Sequence, residues 1–118
     1  MKLMNKTKNK VIARNCKLCR SAWSKAKGLM FTREGSVKRN ALVFEFGRAM
    51  TQSLHMFFVF YPIDVLFLDE KRKVVEIKQD FKPFSIYTSK RKARYVVELP
   101  RSAVRRSKTG LGDVIRWR

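Results

Sequence analysis

Residues 54–69, LHMFFVFYPIDVLFLD, decide how this chain folds, because they gather most of its large apolar side chains into one run. No basic residue falls between Ala49 and Asp69, in a chain that carries 28. The apolar part, Leu54–Leu68, is shorter than the roughly 20 residues of a membrane-spanning helix. Pro62 and Asp64 would also interrupt one. β-branched and aromatic residues dominate, which favours strands. Pro62 has no amide to give to a ladder, so the run divides into two strands, Leu54–Phe60 and Ile63–Asp69.

Alternation then assigns the faces. Leu54, Met56, Phe58 and Phe60 share one face of the first strand, opposite His55, Phe57, Val59 and Tyr61. Both faces are largely apolar, so this strand is expected to be central, or to meet a helix or a protein partner on its second face. In the second strand Ile63, Val65 and Phe67 lie opposite Asp64, Leu66 and Leu68.

Length and composition bound the class. The 118 residues make one domain with a single hydrophobic core, and 45% apolar content fits a folded chain. The net charge is +19, well beyond the roughly 2–8 that solubility asks of a small domain. Met1–Lys10 is rich in lysine and asparagine without an apolar period and reads as a mobile basic start, leaving residues 11–118 as the globular part. Two cysteines make no disulfide framework, and no secretory segment follows Met1, so the expected location is cytoplasmic.

Along the chain, Val11–Arg14 reads as a short strand. Leu18 or Cys19, Ala22 and Ala26 recur at helical spacing over Lys17–Lys27, with Gly28 as the cap. Leu29–Phe31 re-enters the core before a polar loop, Thr32–Asn40. Ala41–Phe46 is a strand ended by Gly47. A charged turn, Glu70–Lys73, joins the second core strand to Val74–Lys78 as a hairpin. Asp80–Thr88, with Pro83, reads as a packed loop. Arg94–Leu99 is the next strand, Pro100 opens a short helix to about Ser107, and Val114–Trp117 closes the sheet after the Gly110–Gly112 turn. The expected fold is α+β and mostly β: one compact domain with a mixed, partly barrel-like sheet and one or two short helices.

Five landmarks in order carry a family resemblance. They are Gly28-Leu29-Met30-Phe31, Ala41-Leu42-Val43-Phe44, the block from His55-Met56 through Pro62-Ile63-Asp64 to Asp69, Ala93–Leu99, and Gly110-Leu111-Gly112-Asp113. Together they resemble a small uncharacterised prokaryotic family, domain of unknown function one hundred and ninety-two, in an archaeal-type, leaderless form. Many relatives carry a polar lysine-asparagine-threonine run after the methionine, where this chain has Phe57, Phe58 and Val59. The resemblance implies a compact, mostly β domain with one or two short helices and no established activity.

Candidate chemistry is sparse. Cys16 and Cys19 have the spacing of a metal or redox pair, but no further cysteine completes a zinc set and Cys19 falls on the apolar stripe. They read as structural, and no metal or cofactor is expected. In a tight hairpin His55 and Asp64 would lie about 13 Å apart, too far for a dyad. Asp64 among apolar neighbours must be paired: either it caps backbone amides, or it is a pocket acid beside His55 and Met56.

The charge is the stronger pointer. Lys90, Arg91, Lys92 and Arg94 form one basic cluster. Arg101, Arg105 and Lys108 form another, aligned at helical spacing and able to meet successive phosphates. The working function is a binding module for an anionic partner such as an RNA or DNA backbone. The alternative is a small-molecule-binding protein or enzyme using an apolar pocket near His55 and Asp64.

Overall fold

Every residue of Ile63–Leu68 is buried, and the other strands are laid against it on both sides. The structure, a computed structural model, describes residues 1–20, 40–56 and 59–118. In chain order these form β1 (Leu3–Asn5), β2 (Lys10–Ala13), β3 (Asn15–Cys19), β4 (Asn40–Met50), β5 (Ser53–His55), β6 (Ile63–Leu68), β7 (Val74–Phe81), β8 (Ile86–Thr88), β9 (Ala93–Pro100), α1 (Ala103–Ser107) and β10 (Ile115–Trp117). Among the described residues the main sheet has the order β3-β4-β9-β6-β7. Two smaller sheets are β10-β1-β2 and β5-β8. The β3–β4 pairing is parallel and the rest of the main sheet is antiparallel, so the sheet is mixed. It stays open, with β3 and β7 at its ends, and does not close into the partial barrel that the sequence led us to expect.

Strand β6 separates two cores. Ile63, Val65 and Phe67 pack with Phe44, Met56, Phe81 and Val96. Leu66 and Leu68 pack with Leu3, Val43, Leu99, Ile115 and Trp117. This is the face assignment that alternation predicts for the second core strand. Each such side chain contributes about 1.5–3 kcal/mol when fully buried, so this strand holds both layers together.

The expected partner strand differs. Regular structure in the 54–60 stretch ends at His55, and Phe57 and Phe58 lie outside the described residues. Strand β5 pairs with β8 rather than with β6, so Tyr61-Pro62 is not a hairpin turn. Strand β9 takes the place beside β6 that the first half of the block was expected to fill, with Leu66 opposite Val97 and Phe67 opposite Val96. On β6 the face that carries Leu66 and Leu68 meets this chain's own strands and α1. Exposed apolar surface is left at Phe60, Phe84 and Ile86, the two rings meeting edge-on at 5.5 Å.

Other expectations shift for local reasons. Residues 17–19, expected to begin a helix, belong to β3, where parallel pairing to β4 outweighs a weak helical period. The remainder of that helix, its Gly28 cap, Leu29–Phe31 and residues 32–39 lie outside the described residues. Gly47 does not end β4, which continues to Met50 through an irregular register against β9. Asp80–Thr88 contains the end of β7 and all of β8. Pro100 is the last residue of β9, and α1, the helix among the described residues, starts three residues later and ends at Ser107.

The N-terminal ten residues, expected as a mobile start, contain β1 and the first residue of β2. Strand β1 lies between β2 and β10, with Leu3 fully buried opposite Trp117. Its anchor is polar, which is why an apolar-period reading overlooks it. Asn5 Nδ2 donates to Thr109 Oγ1 at 3.0 Å and to Asp113 Oδ2 at 2.9 Å. The same Asp113 oxygen accepts Lys8 Nζ at 2.9 Å and the Gly110 amide at 3.0 Å. Arg72, in the β6–β7 turn, lays its guanidinium 3.9 Å from the centre of the Trp117 ring, pinning that turn to β10.

Burial would raise the Asp113 pKa, but its donors, led by Asn5 and Lys8, bring it below the usual carboxylate value. A depressed folded pKa gives stability that is present above the unfolded value, about 3.9, and is lost as pH falls through the folded value. We predict that Asp113→Asn lowers stability by about 1–3 kcal/mol at neutral pH, because a charged acceptor is lost from a buried site. Urea titrations from neutral to acid pH should show the parent losing stability on the acid side more steeply than the variant.

Candidate polyanion groove and its adjoining cleft

The site begins with Asp64, whose two carboxylate oxygens are both used. Oδ1 accepts the Asp80 amide at 3.0 Å and Oδ2 accepts the Val104 amide at 3.0 Å. The first bond fixes the irregular end of β7, where Asp80 takes a left-handed backbone (φ 53°) that aspartate tolerates. The second caps α1 from a strand 40 residues away in sequence. That helix needs it: Ser102 at the cap position is left-handed (φ 68°) and makes no capping bond, and the first turn holds no acid. Asp64 is thus the amide-capping carboxylate that the sequence offered as one of two readings.

With α1 docked, a groove of about 710 Å³ opens beside the edge strand β7. Strand β7 contributes Val75, Glu76, Ile77 and Gln79 to its lining. Arg105, Lys108 and Leu111 come from α1 and the following turn, and Tyr87, Lys90 and Arg91 from β8 and the segment after it. Two basic segments separated in sequence therefore line one groove. Glu76 holds the second segment, its Oε1 accepting the Lys90 and Arg91 amides at 2.9 Å each. Its other oxygen accepts a hydrogen bond from the Tyr87 hydroxyl, and that bond is the main cause of a Tyr87 pKa pushed up to about 12. Strand reading had no cue for Glu76, because an acid on a hairpin strand looks solvated.

A smaller cleft of about 250 Å³ adjoins the groove, lined by Asp64, Gln79, Asp80, Arg101, Ser102 and Arg105. Gln79 and Arg105 line both spaces. The Asp80 carboxylate accepts Lys82 Nζ at 2.7 Å. That bond, with the nearby Arg101 charge, holds its pKa down, so it remains an acceptor at neutral pH.

The remaining candidates are dispersed. Lys92 is exposed but lines neither space. Arg94 is half-buried against β4, bonded to the Phe46 carbonyl and 3.7 Å from Glu45. Met56 is packed in the core, and His55 lies on the exposed β5 strand; neither lines the groove or the cleft. Cys16 and Cys19, three apart on a strand, point to opposite faces and join different cores. They cannot act as a pair, and burial raises the Cys16 thiol.

Sequence reasoning also missed Glu98. It sits mid-sheet with Leu42 and Val65 as cross-strand neighbours, and burial pushes it up to about 7. Alternation in ARYVVELP marks it as a polar-face residue, which would be solvated only on an outer strand. Strand β9 is interior. An acid with a raised folded pKa costs stability as pH climbs from its unfolded value, about 4.3, and the loss is complete above the folded one. The parent should therefore lose stability between about pH 4 and 7 through this group, a loss that Glu98→Gln should remove. Parallel denaturant titrations would show it, and superimposable pH curves would refute it.

Fold and site together define a small basic domain on an open mixed sheet, with a cationic groove along one edge strand. The chain belongs to the DUF192 family (uncharacterized ACR, COG1430), which it matches over residues 3–117. It is 36% identical over 117 residues to UPF0127 proteins of Thermococcus sibiricus and Pyrococcus horikoshii. Those alignments cover 98% of this chain and 73% and 97% of the relatives. Two crystal structures share the fold at TM-score 0.83 and 23% identity, each matching 98% of this chain. One is a proposed transcription regulator from Sinorhizobium meliloti, matched over 89% of its length; the other, from Novosphingobium aromaticivorans, has no stated function and is matched over 82%. Among the described residues, no helix is long and apolar enough to cross a membrane.

Proposed function

We propose that this protein binds an anionic polymer, an RNA or DNA backbone, in the groove beside β7. One observation carries the reading: Lys90, Arg91, Arg105 and Lys108 line a single groove. A charge of +19 could be mere solvation if spread evenly. Four cations gathered in one groove by two separate segments give successive phosphates a defined track. Both segments are held independently of any ligand, one by Asp64 capping α1 and the other by Glu76 holding the 90–91 turn. A groove fixed in advance spends little of its binding free energy on ordering. The alternative pocket would need His55 beside Asp64, and while Asp64 lines the smaller cleft, His55 lines neither space.

Binding to mixed-sequence RNA or DNA should be detectable at about 50 mM salt and weaken steeply as salt rises, at about −0.7 to −0.9 log units per phosphate neutralised. Replacing Lys90, Arg91, Arg105 and Lys108 by Ser should reduce that slope by roughly 3 and weaken binding to all sequences alike. The four residues are exposed, so the variant should keep the parental Tm. Absence of binding at low salt, or a folded variant with the parental slope, would overturn the reading.

A further inference from the structure

The cleft beside the groove differs from it in chemistry. All six residues that line it are polar, whereas the groove lining includes Val75, Ile77 and Leu111. At about 250 Å³ it falls just below the roughly 300–1,000 Å³ of pockets for drug-sized ligands, so it suits one or two rings. Its lining combines an acceptor, the Asp80 carboxylate, with two guanidinium donors, Arg101 and Arg105. Gln79 and Arg105 are common to both spaces, so a strand lying in the groove could turn one unit into the cleft without leaving the protein.

Resting on the groove reading above, we propose that the ligand is single-stranded and that the cleft receives one of its bases, with a preference for cytosine. A free phosphate is a poor occupant, because Asp64 and Asp80 place two carboxylates on the lining. A duplex keeps its bases stacked inside and cannot offer one. The cytosine edge carries an N4 amine donor beside two acceptors, N3 and O2. Asp80 accepts from the amine, as carboxylates do in base readout, while Arg101 and Arg105 donate to N3 and O2. Uracil presents O4 where cytosine presents the amine, and a carbonyl oxygen facing a carboxylate is repelled.

The experiment measures fluorescence anisotropy of labelled oligo(dC) and oligo(dU), which differ at ring position 4 and in whether N3 carries a hydrogen, and of a mixed-sequence duplex. The parent should bind oligo(dC) at least about fivefold tighter than oligo(dU), and the duplex more weakly than oligo(dC). Asp80→Asn should narrow the dC/dU ratio while leaving the salt slope unchanged. Asparagine keeps the left-handed backbone at that position, and Gln79→Ala gives a second, exposed change that should also narrow the ratio. Lys90→Ser with Arg91→Ser should do the opposite, lowering the slope and preserving the ratio. Equal dC and dU affinities with a normal slope, a ratio that survives Asp80→Asn, or tighter duplex binding would overturn the base pocket and leave the groove standing. If none of the three probes binds, the groove reading falls, and the base pocket with it.

Discussion

Two hydrogen bonds accepted by one carboxylate join β6 to the end of β7 and to α1. Asp64 lies in β6, whose residues are all buried, between Ile63 and Val65, and both its oxygens accept backbone amides. A carboxylate taken out of water costs several kcal/mol unless its partners replace the lost solvation, and charge-assisted bonds to amides are the efficient way to do so. Here each bond also settles a local problem of the chain. One fixes the left-handed turn that ends β7, and the other caps a five-residue helix too short to persist alone. Arg105 and Lys108 owe their positions to that cap, as Lys90 and Arg91 owe theirs to Glu76.

The domain is stable for a less local reason. Strand β6 buries side chains in both of its cores, so neither layer can come apart without exposing it. The smaller sheet β10-β1-β2 closes one core by a different means, a polar knot in which Asn5, Lys8 and the Gly110 amide meet on Asp113. The ends of the chain are therefore structural. Charge at the surface is partly consumed in this way too: Arg72 lies on Trp117 and Arg94 on β4, which narrows the cations free for a partner to a subset.

Strand β6, its two faces and the turn after it were readable because alternation, a preceding proline and a charged turn all agree there. Partners were not. Period-2 patterning in Leu54–Phe60 reports two apolar faces but not that β9, some thirty residues later, takes the place beside β6. The stretch around Cys16–Cys19 fits a weak helical and a weak strand period equally, and parallel pairing to β4 decides. Both basic clusters were visible as clusters, and Asp64 as a buried acid needing donors. Which cations share a groove depends on topology, and Glu76, Gln79 and Glu98 carry no local mark of their roles.

The most direct test is amide hydrogen exchange on the folded Asp64→Asn variant, compared residue by residue with the parent. Asparagine keeps one acceptor but turns an amide donor toward a backbone donor, so one of the two bonds must fail. The account predicts faster exchange at Val104, at Asp80 or at both, with β6 and β9 still protected and polyanion affinity reduced through a loosened α1. Unchanged protection at both amides, or full affinity from a variant whose helix has come loose, would contradict it.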